Sequence, residues 1–233
     1  MREKIIKDFK SHASKEKAAV LQRFFKTGKG QYGEGDVFLG VVVPNIRKIS
    51  TEYYKEISLT DIEYFLHSEI HEYRLFALLV LVKQFEKGND TERLNIYKYY
   101  LKNTKYINNW DLVDLTAPNI VGRFLLNNDR NILYKLVKSK SIWEVRIAVL
   151  ATFTFIREGD FVDVLEISKL LLSHNHDLIH KAVGWMLREV GKRDIRSLRA
   201  FLDENASIMP RTMLRYAIEK FDKEERLKYM LKS

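Results

Sequence analysis

The chain has 233 residues, 46% of them apolar, enough to bury a continuous core and too many for a disordered chain. It has no cysteine, which excludes disulfides, thiolate chemistry and Cys-ligated zinc, and its long apolar runs are interrupted well short of the ~20 residues a membrane span needs. Lys and Arg number 40 against 31 Asp and Glu, a formal net charge of +9 that favours a polyanionic partner such as nucleic acid.

In chain order, the N-terminal MREKIIKDFKSH is charged throughout and lacks the apolar centre of a signal peptide. Export is therefore not expected, and a cytoplasmic setting (nucleoid-associated in a bacterium) fits. Thr27–Gly35 is rich in glycine and carries Lys29, but no Gly-Lys-Ser/Thr opens a helix after a strand, so it is not a Walker loop. It reads as a mobile loop in which Lys26 and Lys29 touch backbone phosphates. Val37–Val43 is the one β-like run. No second strand is available to pair with it, so it reads as a buried connector, and Pro44 then suits the first turn of a helix over Asn45–Lys55.

Helical periodicity dominates the rest. Ile62-Phe65-Leu66, Leu75-Leu78-Leu79-Val82 and Ile167-Leu170-Leu171 recur at three and four residues. HEYRLFALLVLVKQFEKGND and IWEVRIAVLATFTFIREGDF share a Glu two residues before an Arg, then an apolar helix, then a charged turn with Gly. The two arginines, Arg74 and Arg146, lie two steps of 36 apart. Trp110 falls at the midpoint, and further steps of 35 and 34 reach Lys181 and Arg215. These steps match helical-pair repeats such as HEAT and armadillo, at ~34–47 residues. First helices are expected at Thr60–Glu69, Thr91–Asn103, Asn131–Ser139, Phe161–Ser173 and Ile195–Glu204, with a capping helix over Lys220–Lys232.

The expected fold is one all-α domain, an α-α superhelix or solenoid of HEAT-like hairpins. Residues 1–58 would hold N-terminal helices and the glycine-rich connector, and 59–233 about five hairpins. In such an array Arg74, Trp110/Asp111, Arg146, Lys181 and Arg215 share one face, a row along a concave basic groove suited to a phosphate backbone. For any single arginine, a surface ion pair with its own Glu72 or Glu144 stays open.

Trp110-Asp111-Leu112-Val113-Asp114 begins a second helix. Asp111 fits an N-cap or a dipole partner. Asp114 lies a turn deeper, four residues from Trp110 and on the same face. A carboxylate beside an aromatic in a basic groove suits a cationic, oxocarbenium-like transition state, although a purely structural aspartate remains the other reading. Trp143 and Trp185 fall near the same repeat face, where stacking on sugars or bases competes with an ordinary core role. His174, His176 and His180 bridge a helix end and a loop without a carboxylate scaffold, so no metal is expected, and no cofactor.

NNWDLVDLTAPNIVGRFL, SIWEVRIAVL and KAVGWMLREVGK, in that order and at these separations, resemble the AlkD-type alkylpurine DNA glycosylases, which are built from HEAT-like repeats. The resemblance runs from Phe38-Leu39-Gly40 to the final helices. It implies hydrolysis of the N-glycosidic bond of cationic N3- and N7-alkylated purines in duplex DNA, without a metal and with the lesion left stacked. It assigns the catalytic aspartate to Asp114, the lesion-cradling tryptophans to Trp110 and Trp185, and the DNA-contacting arginine to Arg146. It implies no obligate protein partner and no membrane. Where characterised members carry a tyrosine and a glutamine near DNA, this chain has Phe24 and Val42, which bears on substrate range and rate more than on reaction type. The competing readings are a non-catalytic HEAT-like DNA-binding module and a solenoid that binds an acidic protein.

Overall fold

The computed structural model describes residues 1–232; Ser233, the last residue of the expected domain, lies outside the described residues. Within them the regular elements are helical, and the β structure is one parallel bridge between Val37 and Ile70. No helix among the described residues is long and apolar enough to cross a membrane. The helices group into two compact units, Met1–Thr116 and Ala117–Ser233.

The first unit runs α1 (Arg2–His12), α2 (Lys15–Phe24), α3 (Val43–Tyr53), α4 (Leu59–Leu66), α5 (His71–Lys87), α6 (Asp90–Lys102) and most of α7 (Trp110–Ala117). Local chemistry fixes the starts. The Ser14 and Ser58 hydroxyls accept the Lys17 and Asp61 N–H groups, Asn89 and Glu92 form a reciprocal capping box, and Pro44 sits in the first turn of α3. α5 is buried on nearly every side and packs against α3, α4 and α6, so it is the centre of the unit. Beside it Phe9, Phe65, Tyr73 and Phe76 meet edge to face at centroid distances of 4.9–5.6 Å.

The second unit begins where α7 gives way to a π-helical turn, Pro118–Gly122. It continues with α8 (Arg123–Leu125), α9 (Asn131–Leu136), α10 (Ile142–Arg157), α11 (Val162–Leu170), α12 (Asp177–Arg193), α13 (Ile195–Asn205), α14 (Arg211–Ala217) and α15 (Lys223–Lys232). Pro118 has no N–H to extend the α ladder, and the Thr154 hydroxyl donates to its carbonyl at 2.7 Å. α10 is the buried centre here. Arg130 joins α9, α10 and α11. It donates to Asp160 (2.6 Å) and Asp163 (2.7 Å), and its guanidinium lies 3.9 Å over the Phe155 ring.

The first helices of the hairpins fall where the sequence puts them, as α4, α6, α9, α11 and α13. The expected positions Arg74, Trp110, Arg146, Lys181 and Arg215 all lie in the opening turns of second helices. Three of the first helices, α4, α9 and α11, end three residues short of expectation, at Leu66, Leu136 and Leu170, and for α9 the reason is plain. α9 stops at Leu136, before Ser139, because the Ser139 hydroxyl donates to Glu144 (2.5 Å) and accepts the Ser141 N–H, a turn that competes with helix.

The Val37–Val43 run is a connector as expected, buried at Phe38, Gly40 and Val41 but exposed at Val37 and at Val43, where α3 already begins, and its backbone is satisfied from Glu69 and the start of α5. Val37 N–H donates to Glu69 O and His71 N–H to Val37 O. The buried Glu72 carboxylate accepts N–H bonds from Leu39 (3.1 Å), Gly40 (2.8 Å) and Val41 (3.2 Å). Glu72 therefore serves the connector rather than pairing with Arg74. Gly40 has φ +81°, and a Cβ there would sit 2.0 Å from Ser14 O and 2.7 Å from Ala18 N. Gly40→Ala is expected to lower the free energy of unfolding by ~3 kcal/mol or more, read from the urea midpoint. A loss below ~0.5 kcal/mol would mean that the connector tolerates a Cβ there.

Candidate functional site

In the first unit the site is organised around His71, the opening residue of α5, which is buried. Its Nδ1 lies 3.0 Å from Asp36 Oδ2 and its Nε2 2.8 Å from Asp111 Oδ2. With a carboxylate at each ring nitrogen, both nitrogens donate and the ring is an imidazolium. Burial by itself would push its pKa down. The charge and hydrogen bond of Asp111 and the hydrogen bond of Asp36 outweigh that and raise it to about 9.

Asp36 also receives Arg74 Nη2 at 2.6 Å and Asn109 Nδ2 at 3.3 Å, while Arg74 Nη1 donates to Ser68 O at 2.9 Å. Burial raises the Asp36 pKa, but the hydrogen bond from His71 and the Arg74 charge hold it below the usual carboxylate range. Asn109 Oδ1 accepts the Trp110 N–H at 2.9 Å and so caps α7.

This cluster carries a group of packed rings, in which Phe25 also lies 4.9 Å from His71. Phe38 stacks on His71 at 4.6 Å, Phe25 on Phe38 at 5.1 Å, and Trp110 on Phe25 at 5.1 Å with planes 16° apart. Phe24 meets the edge of Trp110 at 5.8 Å and is 61% exposed. Trp110 is half-buried at the outer end of the group, and Asp114, one turn along the same face of α7, is half-buried as well. Asp111 is buried, and its Oδ2 meets His71 in the cluster. Of the two readings of Asp111, the dipole partner stands, as it is the acidic residue of the first turn of α7, and the N-cap is corrected, since its carboxylate bonds His71 and no helix N–H.

The glycine-rich loop is pinned by its own bonds, Gly30 N–H to Glu34 Oε2 (2.7 Å) and Gly33 N–H to Lys26 O (3.1 Å). Lys26 and Lys29 lie exposed on it. In the second unit Trp185 is half-buried on α12, donating Nε1–H to Glu189 Oε1 at 3.1 Å. Gly184 lets α12 approach α14, because a Cβ there would lie 2.4 Å from Met213 O. Arg215 is exposed, and Lys181 is paired with Asp177 at 2.7 Å.

Two members of the expected row, Arg74 and Arg146, and Trp143 near the same face, are buried rather than open to a groove. Arg74, Arg146 and Trp143 are 3%, 5% and 9% exposed. α5 and α10 are the central helices of their units, so residues in their first turns meet neighbouring chain instead of solvent. Arg74 is bonded to Asp36, and Arg146 Nη1 donates to Leu178 O at 2.6 Å. The three histidines are spent on a turn. His174 Nδ1 accepts His176 N–H, His176 Nδ1 accepts Leu178 N–H, and His180 Nε2 bonds His174 O. Among the described residues no group of His, Asp and Glu could hold a metal.

Sequence reasoning missed His71, Asp36, Phe25 and Phe38. The available signals were a histidine just ahead of a long apolar helix and an aspartate just before an apolar connector, both charged groups at the edge of segments that must be buried.

A family model described as DNA alkylation repair enzyme matches residues 5–221. The chain belongs to this family. A solved structure described as a predicted DNA alkylation repair enzyme from Enterococcus faecalis superposes with a TM-score of 0.71 at 17% identity, covering 91% of this chain and 98% of that one. At that identity the likeness speaks for the fold alone. None of the curated proteins matches the chain. Family membership makes DNA the polyanion that the charge calls for, and alkylation repair the role.

Two outcomes test the buried cluster. His71 has a pKa raised from 6.5 to about 9 on folding, so its contribution to stability is full below pH 6.5 and is lost as pH rises through 9. The urea midpoint is expected to fall between pH 7 and 9.5, and His71→Gln to flatten that slope; an unchanged slope would place the proton elsewhere. Arg74→Ala, which strands Asp36, is expected to cost ~3–5 kcal/mol of stability in equilibrium unfolding. A stable variant with weakened DNA binding would instead return Arg74 to the groove.

Proposed function

We propose that the protein is a DNA N-glycosylase that hydrolyses the bond between deoxyribose and a cationic N3- or N7-alkylated purine in duplex DNA, in base excision repair and without a metal. The observation that carries this reading is the division of labour on α7. Asp111 is committed to the buried His71, whereas Asp114 shares its helix face with Trp110, at the outer end of the ring group. A cationic base is already a good leaving group. What the reaction needs is a carboxylate against the sugar cation and its attacking water, and aromatic faces that favour positive charge and exclude solvent. Asp114 takes the first role and Trp110 the second. For Trp185, in the second unit, a lesion-cradling role is proposed on the strength of its Gly-Trp motif alone. Lys26, Lys29, Lys181 and Arg215 serve as phosphate contacts, and the exposed Phe24 lies against the sugar-phosphate edge beside Trp110.

The assay is release of 7-methylguanine or 3-methyladenine from methylated duplex DNA. Wild type is expected to release base, and Asp114→Asn to lose ~100-fold or more in single-turnover rate while still binding duplex. Duplex binding with no base release by wild type would leave a non-catalytic DNA-binding module. Affinity is expected to fall steeply with salt, and the paired change Lys26→Gln, Lys29→Gln to reduce the log–log slope by ~1–2; a flat salt response would remove the phosphate contacts altogether.

A further inference from the structure

A cleft of about 590 Å³ opens beneath α2, within the first unit. Its walls are apolar, drawn from Val20 and Leu21 of α2, Phe38, Val41 and Val42 of the connector, and Leu75 of α5. α2 buries none of its residues, and Val20 at the rim is 52% exposed, so the helix covers the cleft without filling it. A volume of this size matches small-molecule sites, ~300–1,000 Å³.

The polar lining comes from Glu16 and Lys17, an exposed pair of opposite charge on α2, and from the buried His71, Glu72 and Asp111. Glu72 is fully occupied by backbone N–H groups and His71 by its two carboxylates. Asp111 is different. It is 7% exposed, its Oδ2 holds His71, and its Oδ1 is a buried acceptor with no hydrogen-bond partner. A carboxylate oxygen in that position costs free energy until a donor reaches it. The charges give the sign of that donor. Asp36, Glu72 and Asp111 are negative and Arg74 and His71 positive, so the buried group carries one uncompensated negative charge.

We propose that this cleft is a binding site for a small hydrophobic amine, a molecule with an apolar body and one protonated nitrogen that donates to Asp111 Oδ1. The site stands apart from the base-release chemistry assigned to Asp114 and does not depend on it. The body of the ligand displaces solvent from the valine and leucine walls, and its ammonium completes the coordination of Asp111 and neutralises the buried cluster.

The test is titration with 4-phenylbutylammonium, followed through the methyl resonances of Val20, Val41, Val42 and Leu75, with butylbenzene as the uncharged comparison. Saturable shifts confined to those methyls are expected, with butylbenzene binding about tenfold or more weakly. Val20→Trp, at an exposed rim position, is expected to abolish the shifts by closing the mouth, and Asp111→Asn to remove the preference for the amine. Should Asp111→Asn fail to fold, the comparison of amine with hydrocarbon carries the same information. Equal binding of the two ligands, shifts spread over the protein, or shifts that survive Val20→Trp would overturn the proposal.

Discussion

The first unit depends on one buried contact, the His71 imidazolium held between Asp36 and Asp111. Three stretches remote in sequence meet there: the end of the glycine-rich loop, the start of α5 and the start of α7. None of the three carboxylate or cationic partners could be buried alone, because an unpaired ion in such surroundings costs several kcal/mol. Arg74 and Asn109 complete the coordination of Asp36. The assembly is therefore all-or-none, and its geometry passes outward through Phe38 and Phe25 to the Trp110 ring. The Trp110 ring is thus positioned by a charge cluster one ring away, since Phe25 touches both His71 at 4.9 Å and Trp110 at 5.1 Å.

That arrangement also separates two aspartates three residues apart. Asp111 and Asp114 lie only ~60° apart around α7, yet their surroundings differ, since Asp111 is buried against His71 and Asp114 is half-buried one turn along from Trp110. A single helix thereby supplies both the anchor and the proposed chemical group. The anchor fixes the helix rotation, and rotation decides where Asp114 points.

Much of the helical framework was legible in the sequence. Apolar residues at three and four, Ser and Asn caps, and Pro44 placed the helices to within a few residues, because these signals are local. The repeat period also placed the second helices, since equivalent packing demands equivalent spacing. What the pattern could not convey is which side of a helix faces inward when the helix is central to its unit. Arg74 and Arg146 look like solvent-facing cations beside a glutamate. In α5 and α10 nearly every direction leads to neighbouring chain, and the partner of Arg74 lies 38 residues away at Asp36. Glu72 misled for the same reason, as its partners are backbone N–H groups of the connector. Of the site, Trp110 and Asp114 were readable from their spacing on one helix. His71 and Phe25 were not, because their roles arise from contacts that no local window contains.

The connector invites a comparison with phosphate-binding loops. Three consecutive main-chain N–H groups, at Leu39, Gly40 and Val41, converge on one point around a left-handed glycine, which is the concave nest that many proteins offer to an anion. Here the anion is supplied by the chain itself, as the Glu72 carboxylate. The nest is consequently a piece of internal architecture, sealed before any nucleic acid arrives. Contacts to a DNA backbone then fall to long, screened and individually weak side-chain cations. An anion from outside would have to displace a carboxylate that the chain already holds there, so the connector is closed to it.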